Sequence, residues 1–426
     1  MVSNSNMTLK LSLASTDMQL RILGIISAIP LSVLLTGDRE LFVLHLFVFL
    51  PLSGLYIARN GVHWSTLTTI DRLVLAYLFW AMLSFGLNLI RSVLQGADSA
   101  LEPRLFSVGA LAINFVAPFL IGRVIFATEH DMRAFVDGLL LGAAISVAVY
   151  LGDYAYLFFF DPANAEYLFG RRVPMVLGFL IAIYIFYAKS SLLVYSSVIF
   201  FFSLLIWLSG ARAAALSLLI ILLLSGTMFW KEIGTRKLAS IGLAVTCAFF
   251  VSLMVNKTTI NRLETTIEMG LQDESSNMRL ILQDESSNMR LMMWTNLLSH
   301  AGQDIFTIVF GFGQLGPGYI GDRMVSPQGL VMERYSAHNE YLDQVIRGGV
   351  VYLAIYVLIL GYVVYYGVRI SRISPMIGPA YLGMSVGLIG VFVYAFFYES
   401  TRYPWFGILF WVLVGGLSNC WQRKNR

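Results

Sequence analysis

The chain of 426 residues is 58% hydrophobic and 13% charged, with a formal net charge of +4 at pH 7. Soluble globular domains carry about a quarter charged residues, so this composition excludes a soluble protein. A helical span needs about 20 mostly apolar residues, and the apolar runs predict an all-α polytopic bundle of about twelve membrane helices. In chain order they are expected at 19–36, 41–58, 73–90, 105–127, 134–160, 173–188, 192–210, 213–230, 238–255, 349–367, 375–397 and 405–420.

The long polar stretch at 256–348 separates the ninth and tenth predicted spans. We therefore predict one membrane domain, 1–426, with this loop as its extramembrane insertion. The short loops on the side of the N-terminus, with Arg123 among their charges, carry more Lys and Arg than those on the opposite side. Because basic loops stay in the cytoplasm, we expect cytoplasmic termini and a periplasmic loop. Acidic residues outnumber basic ones in the loop, which argues against nucleic acid as a partner.

A tandem repeat lies inside the loop, where Leu271–Leu280 and Leu282–Leu291 both read LQDESSNMRL. The repeat places Arg279 and Arg290 at equivalent positions. Eleven residues are close to three helical turns, so a helix can absorb the insertion without rotating its faces. A slip-duplication explains the repeat more simply than a functional array, and Trp294 after Arg290 favours the second copy as the functional one.

A histidine stands where the polar loop meets the membrane, in the stretch Ser336–Leu342 that precedes a continuous apolar run. Ionisable groups near lipid are paired or used, and an imidazole can accept a proton near neutral pH. A lone histidine is more often structural, but the neighbouring Asn339 and the span that follows favour His338 as a general base. The Gly311–Gly318 cluster predicts a tight irregular turn, and it lacks the strand and helix that a nucleotide-binding loop requires.

Three stretches resemble the O-antigen ligase and O-antigen polymerase family of bacterial undecaprenyl-diphosphate-glycan transferases. They are Leu208-Ser209-Gly210-Ala211-Arg212-Ala213-Ala214-Ala215, then Ser287-x-x-Arg290-x-x-x-Trp294 with Phe310-Gly311-Phe312-Gly313, and finally His338-Asn339-x-x-Leu342 followed by Gly349. One departure is Tyr352, where the family often has a second glycine.

The resemblance implies a multi-pass enzyme of the bacterial inner membrane, with a fold similar to GT-C glycosyltransferases and an active site that faces the periplasm. Its substrates would be an undecaprenyl-diphosphate-linked glycan donor and a lipid A–core or lipid-linked glycan acceptor, among membrane lipids. No cofactor and no metal are implied. His338 would be the catalytic base, and Arg212 and Arg290 would bind the diphosphate. Asn339, Arg171, Arg172 and Arg279 are expected as supporting residues.

Two functions within that family remain open, because a ligase and a polymerase differ in the acceptor alone. A single dominant loop between spans nine and ten favours the ligase, since the outer segment 161–172 is short. Twelve spans would also suit a secondary transporter, but related halves with broken helices, as transporters show, are not visible. A purely structural membrane subunit would leave His338 and Arg212 unexplained.

Overall fold

A computed structural model describes most of the chain. It covers residues 17–28, 51, 53–58, 67–96, 101–126, 128–160, 173–209, 211–255, 285–316, 320, 324–325, 331–332, 337–397 and 404–424. Among the site residues predicted from the sequence, Arg171, Arg172 and Arg279 lie outside this part of the chain.

Helices dominate the described residues. The segments 17–28 and 53–58 are helical, and a two-stranded antiparallel hairpin joins Met324–Val325 to Val331–Met332. The numbered helices are α1 (Thr69–Leu94), α2 (Leu101–Leu111), α3 (Ala117–Ile125), α4 (Glu129–Phe160), α5 (Val173–Tyr187), α6 (Leu192–Leu208), α7 (Arg212–Thr227), α8 (Trp230–Ile233), α9 (Thr235–Val255), α10 (Glu285–Ala301), α11 (Ile305–Phe310), α12 (Glu340–Ile373), α13 (Gly378–Ala395) and α14 (Pro404–Lys424), and a π-helix, Ala112–Val116, joins α2 to α3.

Within the described residues, six helices are long and apolar enough to cross a membrane and four more are apolar but shorter. Their outer faces carry exposed large apolar side chains such as Phe79, Leu243 and Met254, as lipid contact requires. Ten predicted spans coincide with these helices, whereas 19–36 and 41–58 are described only in part. The prediction of an all-α polytopic membrane protein is confirmed.

Helix α12 connects several parts of the bundle. It packs against α1, α13 and α14, and α13 in turn packs against α5 and α7. Small residues allow close helix contacts: a Cβ on Gly122 would collide with the backbone of Val412 in α14, and one on Gly383 would collide with α5 at Ala182. Such contacts are typical of membrane helices, which associate through packing rather than through exclusion of water.

The end of the bundle where α1 begins contains a buried ion pair, which we call the Asp71 cluster. Arg123 Nε lies 3.2 Å from Asp71 Oδ1, and both side chains are about 5% exposed or less. Ser418 donates to Asp71 over 2.8 Å, and Gln422 accepts from Arg123 over 2.8 Å. Arg123, counted among the loop charges in the sequence analysis, is therefore a buried residue that joins α1, α3 and α14.

Helix α12 begins nine residues before the predicted span and breaks where that span was expected to start. Gly349 has φ 77° and ψ −176°, a conformation that is essentially restricted to glycine. The predicted loop boundary at 348 thus coincides with a break between two helical pieces, and the first piece carries polar residues into the bundle.

Candidate functional site

The His338 turn begins α12. Asn339 caps the helix, since its side-chain oxygen accepts a hydrogen bond from the Leu342 N–H over 3.0 Å. His338 has φ 48°, in the left-handed region that histidine adopts more readily than most residues. The imidazole is half-buried. Local backbone geometry therefore fixes the histidine immediately before a helix N-terminus, whose free N–H groups favour negative charge.

The helix that carries Arg290 packs directly against this turn. Trp294 Nε1 donates to the Ala337 carbonyl over 2.7 Å, and Leu297 joins an apolar cluster with Leu342 and Ile346. Arg290 lies one turn before Trp294 and is half-buried. The second and third sequence motifs, far apart in the chain, are thus brought together, and the contact belongs to the second copy of the repeat.

The glycine-rich turn after α11 fills the break in α12. Phe312 N donates to Ile346 O over 2.8 Å and Gln314 N to Arg347 O over 2.9 Å. These bonds satisfy carbonyls that lose their helical partners at the break. Gly311 has φ 60°, and a Cβ there would lie 2.6 Å from Ile346 O. The predicted irregular turn is confirmed, and its glycines serve this close backbone approach.

Side chains of helix α1 also donate hydrogen bonds to the backbone around the break in α12. Trp80 Nε1 donates to Gly348 O over 2.8 Å, and Ser84 donates to Phe310 O. Asn88 donates to Gly311 O over 3.2 Å. The start of α12 is therefore fixed by side chains of α1 and by the backbone of the loop.

Arg212 is the first residue of α7 and its side chain is exposed. Ser217 and Ile221 of α7 lie beside Gly390 of α13, and Ile221 also clusters with Val386, so the two helices are antiparallel. Arg212 consequently lies at the end of the bundle where α13 finishes.

The His338 turn reaches that same end. The Tyr341 hydroxyl donates to Phe392 O, near the end of α13, over 2.9 Å, and the rings of Tyr341 and Phe396 are 4.6 Å apart. The structure thus places His338, Arg290 and Arg212 at one end of the bundle, opposite the Asp71 cluster.

Four buried polar residues below the His338 turn were missed in the sequence analysis. Glu340, Asp343, Gln344 and Arg347 are each 7% exposed or less, and their i, i+3, i+4, i+7 spacing places them on one helix face. Arg347 Nε pairs with Asp343 Oδ2 over 2.9 Å. The helical spacing of polar residues between His338 and Gly349 was the signal that could have revealed them.

Gln344 and Arg347 border a cavity of about 70 Å³ between α1, α2, the π-helix, α12 and α14, a volume that accommodates several water molecules. Its polar walls include Tyr77, Ser107, Asn114, Gln314 and Gln344, and its aromatic walls include Tyr352. The departure from the family pattern has a structural role here, since the ring of Tyr352 stacks 4.0 Å from that of Tyr77.

Hydrogen bonds connect the cavity to the His338 turn. The Tyr77 hydroxyl donates to Gln344 Oε1 over 2.7 Å, and Gln344 Nε2 donates to Glu340 Oε1 over 3.0 Å. Glu340 lies two residues after His338. The polar network therefore extends from the first turn of α12, directly after the candidate base, into the bundle, on the side of α12 that faces α1.

An exposed ion pair holds the loop at its base. Arg91 Nη2 lies 2.7 Å from Asp304 Oδ2, and Asp304 also caps α11 by accepting from the Thr307 N–H over 2.7 Å. The hydrogen bond from Arg91, together with those from Thr307, lowers the pKa of Asp304 below its usual range. The last turn of α1 is thereby joined to the segment that fills the α12 break.

Comparison with known proteins gives one finding that bears on this site. Residues 196–357 match the family model described as O-antigen ligase, a range that contains Arg212, Arg290 and His338. No curated protein matches the chain. The family implies a glycosyltransferase-like enzyme of the O-antigen ligase or polymerase type, which acts on lipid-linked glycans. This multi-pass membrane protein thus carries a region of the O-antigen ligase family at residues 196–357.

Proposed function

We propose that the protein is a metal-independent O-antigen ligase that moves a glycan from undecaprenyl diphosphate to a sugar hydroxyl of lipid A–core. The reaction takes place at the periplasmic face of the bacterial inner membrane. The observation that carries the proposal is the Trp294–Ala337 hydrogen bond. It holds the helix of Arg290 against the turn that carries His338, which supports a common site for a cation and a base.

The proposed chemistry is an exchange at the anomeric carbon of the donor sugar. The acceptor oxygen forms a bond to that carbon while the bond from the carbon to the diphosphate oxygen breaks. His338 accepts the hydroxyl proton, and the carrier diphosphate leaves with the bonding electrons. A positioned base contributes typically 10²–10⁴-fold to such a step.

Arg212 and Arg290 are proposed to bind the leaving diphosphate. Guanidinium stays charged at any working pH and offers a planar pair of donors to phosphate oxygens. Both arginines come from elements that meet at the His338 end of the bundle. Arg171, Arg172 and Arg279 are proposed as supporting phosphate contacts, and Asn339 supports the site by capping α12 beside the base.

The proposal is tested with purified protein, lipid-linked glycan and lipid A–core, without added metal. His338→Ala should reduce transfer by about 10²-fold or more while donor binding persists. The wild-type rate should fall as acid protonates the imidazole, and this dependence should vanish in the variant. Near-normal transfer by His338→Ala would overturn the base role. Transfer to lipid-linked glycan but not to lipid A–core would make the protein a polymerase.

The phosphate role has its own test. Arg212→Lys and Arg290→Lys keep the charge but lose the planar pair of guanidinium donors. Each should therefore raise the KM for the donor or abolish transfer at normal expression. Arg72→Lys, an exposed arginine at the opposite end of the bundle, is the matched control. Full activity of both site variants would show that the arginines are ordinary interfacial charges.

Topology is tested separately. Gln303 is exposed in the loop between α10 and α11, so Gln303→Cys in a background without Cys247 and Cys420 should react with an impermeant thiol reagent in spheroplasts. Labelling that requires lysis would place the loop, and the site with it, in the cytoplasm. A reporter at the C-terminus should give the opposite result, since both termini are proposed to be cytoplasmic.

A further inference from the structure

Arg104 is an arginine that neither the family resemblance nor the proposed chemistry uses. It lies in the first turn of α2 and is 5% exposed. Within the described part of the chain its polar partner is the Ser92 hydroxyl, 3.3 Å from Nη1, and its Nε has no hydrogen-bond partner. Arg123 and Arg347, the other buried arginines in these residues, both pair with carboxylates.

The charge of Arg104 is therefore incompletely compensated. Guanidinium cannot be deprotonated in proteins, and a buried charge without a partner costs several kcal/mol. A paired charge would be satisfied inside the protein, so Arg104 is suited to receive an anion from outside it. Its position at the start of α2 places it at the end of the bundle where α1 finishes, which is the His338 end.

A second incomplete group lies in the cavity. Gln314 is 2% exposed, has φ 69°, and its side-chain Nε2 has no partner within the described residues. Both backbone polar groups of Gln314 are used in holding the α12 break, because its N–H donates to Arg347 O and its carbonyl accepts from Arg347 Nη1. The backbone thus fixes an amide donor at the cavity wall in a conformation that most residues avoid.

Arg104 lies beside the cavity, one helical turn from a residue of its wall. Ser107 lines the cavity and lies one helical turn after Arg104, and residues three apart on a helix are neighbours on its surface. Asn114, in the π-helix, adds a further amide to the wall, and π-helical turns are frequent at functional sites. Arg347 adds no net charge because Asp343 neutralises it. The surface therefore combines uncharged hydroxyl and amide groups with one cation at its outer rim.

This chemistry matches the hydroxyl-bearing edge of a sugar that carries an anionic substituent. Ring hydroxyls can exchange hydrogen bonds with Gln314 and Asn114, and aromatic walls such as Tyr352 and Trp411 offer apolar faces. The cavity lies where α12 packs against α1, whereas Arg212 begins α7, which packs against α13. Since the donor diphosphate is proposed to lie with Arg212 and Arg290, the cavity is placed to receive the other substrate.

We propose that the cavity, with Arg104 at its rim, binds the acceptor: a glycolipid sugar whose hydroxyls face the cavity and whose phosphate contacts Arg104. The inference rests on the proposed function, because the acceptor role depends on glycosyl transfer. Gln344 and Glu340 connect this subsite to the His338 turn, so the acceptor hydroxyl is presented to the base from the α1 side.

The first experiment measures acceptor binding without turnover. Labelled lipid A–core is titrated onto the His338→Ala protein in nanodiscs, with and without Arg104→Gln. The substitution should weaken acceptor binding at least tenfold and leave donor binding unchanged. Arg72→Gln, at the opposite end of the bundle, is the matched control and should alter neither. Weakened donor binding would instead assign Arg104 to the diphosphate, and unchanged acceptor binding would overturn the proposal.

A second arm distinguishes an acceptor phosphate from a membrane headgroup. Phosphatase-treated acceptor should bind the parent protein as weakly as intact acceptor binds the Arg104→Gln protein, and the two changes together should cause no further loss. If the effect of Arg104→Gln depends on the phosphatidylglycerol content of the nanodisc and not on acceptor phosphate, Arg104 holds a lipid headgroup and the proposal fails.

The cavity wall is tested independently of Arg104. Gln314→Glu keeps the size of the side chain but removes its N–H donors, and it should also weaken acceptor binding at least tenfold. If either of the other variants fails to fold, Asn114→Ser replaces it and should also weaken acceptor binding. If no wall substitution changes acceptor binding, the proposed subsite is wrong. If the wild-type protein binds acceptor but transfers no glycan, the proposed function alone is contradicted.

Discussion

The two ends of the bundle bury polar groups in different ways. At the Asp71 end, the arginine pairs with a carboxylate and joins α1, α3 and α14. At the His338 end, Arg347 is similarly paired, but Arg104 and Gln314 retain donors without partners in the described residues. The first arrangement stabilises a helix contact, whereas the second leaves Arg104 without a carboxylate, which the proposed acceptor phosphate would replace. The presence of a carboxylate partner, rather than polarity, thus distinguishes the buried Arg123 from the buried Arg104.

The largest expected effect comes from breaking the Asp71 cluster. Asp71→Ala leaves Arg123 buried without its carboxylate, and removal of one partner of a buried pair costs about 3–5 kcal/mol. Thermal unfolding in detergent should show a large drop in Tm. The double variant Asp71→Ala with Arg123→Met should recover much of the loss, because no charge then remains buried. Simple addition of the two single losses would contradict the description of a coupled pair.

The next largest loss of stability should come from a substitution at the backbone break in α12, at the His338 end of the bundle. Gly349→Ala places a Cβ against Val309 O and forces a side chain into a conformation reserved for glycine, at a cost of about 1–3 kcal/mol from the backbone alone. Gly361→Ala, in the same helix with no atom within 4 Å of the added Cβ, is the control and should be neutral or slightly stabilising. Equal Tm values for the two variants would show that the break is not required.

The membrane bundle could be predicted from the sequence because hydropathy is a local property. Ten spans coincide with helices, and the segments that contain Arg290 and His338 are in contact through Trp294 and Ala337. The break at Gly349 could not be predicted, because it depends on backbone donors supplied by Phe312 and Gln314 from a distant segment. The burial of Arg104 could not be predicted for a similar reason, since it is a property of the assembled helices.

A smaller effect should follow from loosening the contact between the loop and the His338 turn. Trp294→Phe keeps an aromatic ring, smaller than indole, but leaves the buried Ala337 carbonyl without this donor, which costs about 1–3 kcal/mol. We expect faster hydrogen exchange across α10 and lower transfer, with little change at the Asp71 end. Trp230→Phe, at an exposed tryptophan in α8, is the control. Unchanged exchange in α10 would show that the hydrogen bond does not position Arg290.

The smallest effect is expected at an exposed Arg–Asp pair, which has the chemistry of the Asp71 cluster without its burial. Arg91 and Asp304 form a 2.7 Å pair with side chains 36% and 41% exposed, so solvent should limit its contribution to about 0.2–1 kcal/mol. Asp304→Asn should therefore lower Tm far less than Asp71→Ala does.

The sign of the pH dependence of the Arg91–Asp304 contribution to stability follows from the lowered pKa of Asp304. A carboxylate whose folded pKa lies below its unfolded value of about 4 contributes stability above that value, and the contribution is lost as pH falls through the folded pKa. The difference in stability between wild type and Asp304→Asn should thus be constant near neutral pH and shrink in acid below about pH 4. Because exposed pairs are screened, it should also shrink in high salt, while the Asp71→Ala loss should persist. A salt-independent loss at Asp304 as large as that at Asp71 would mean that burial does not set the strength of these pairs.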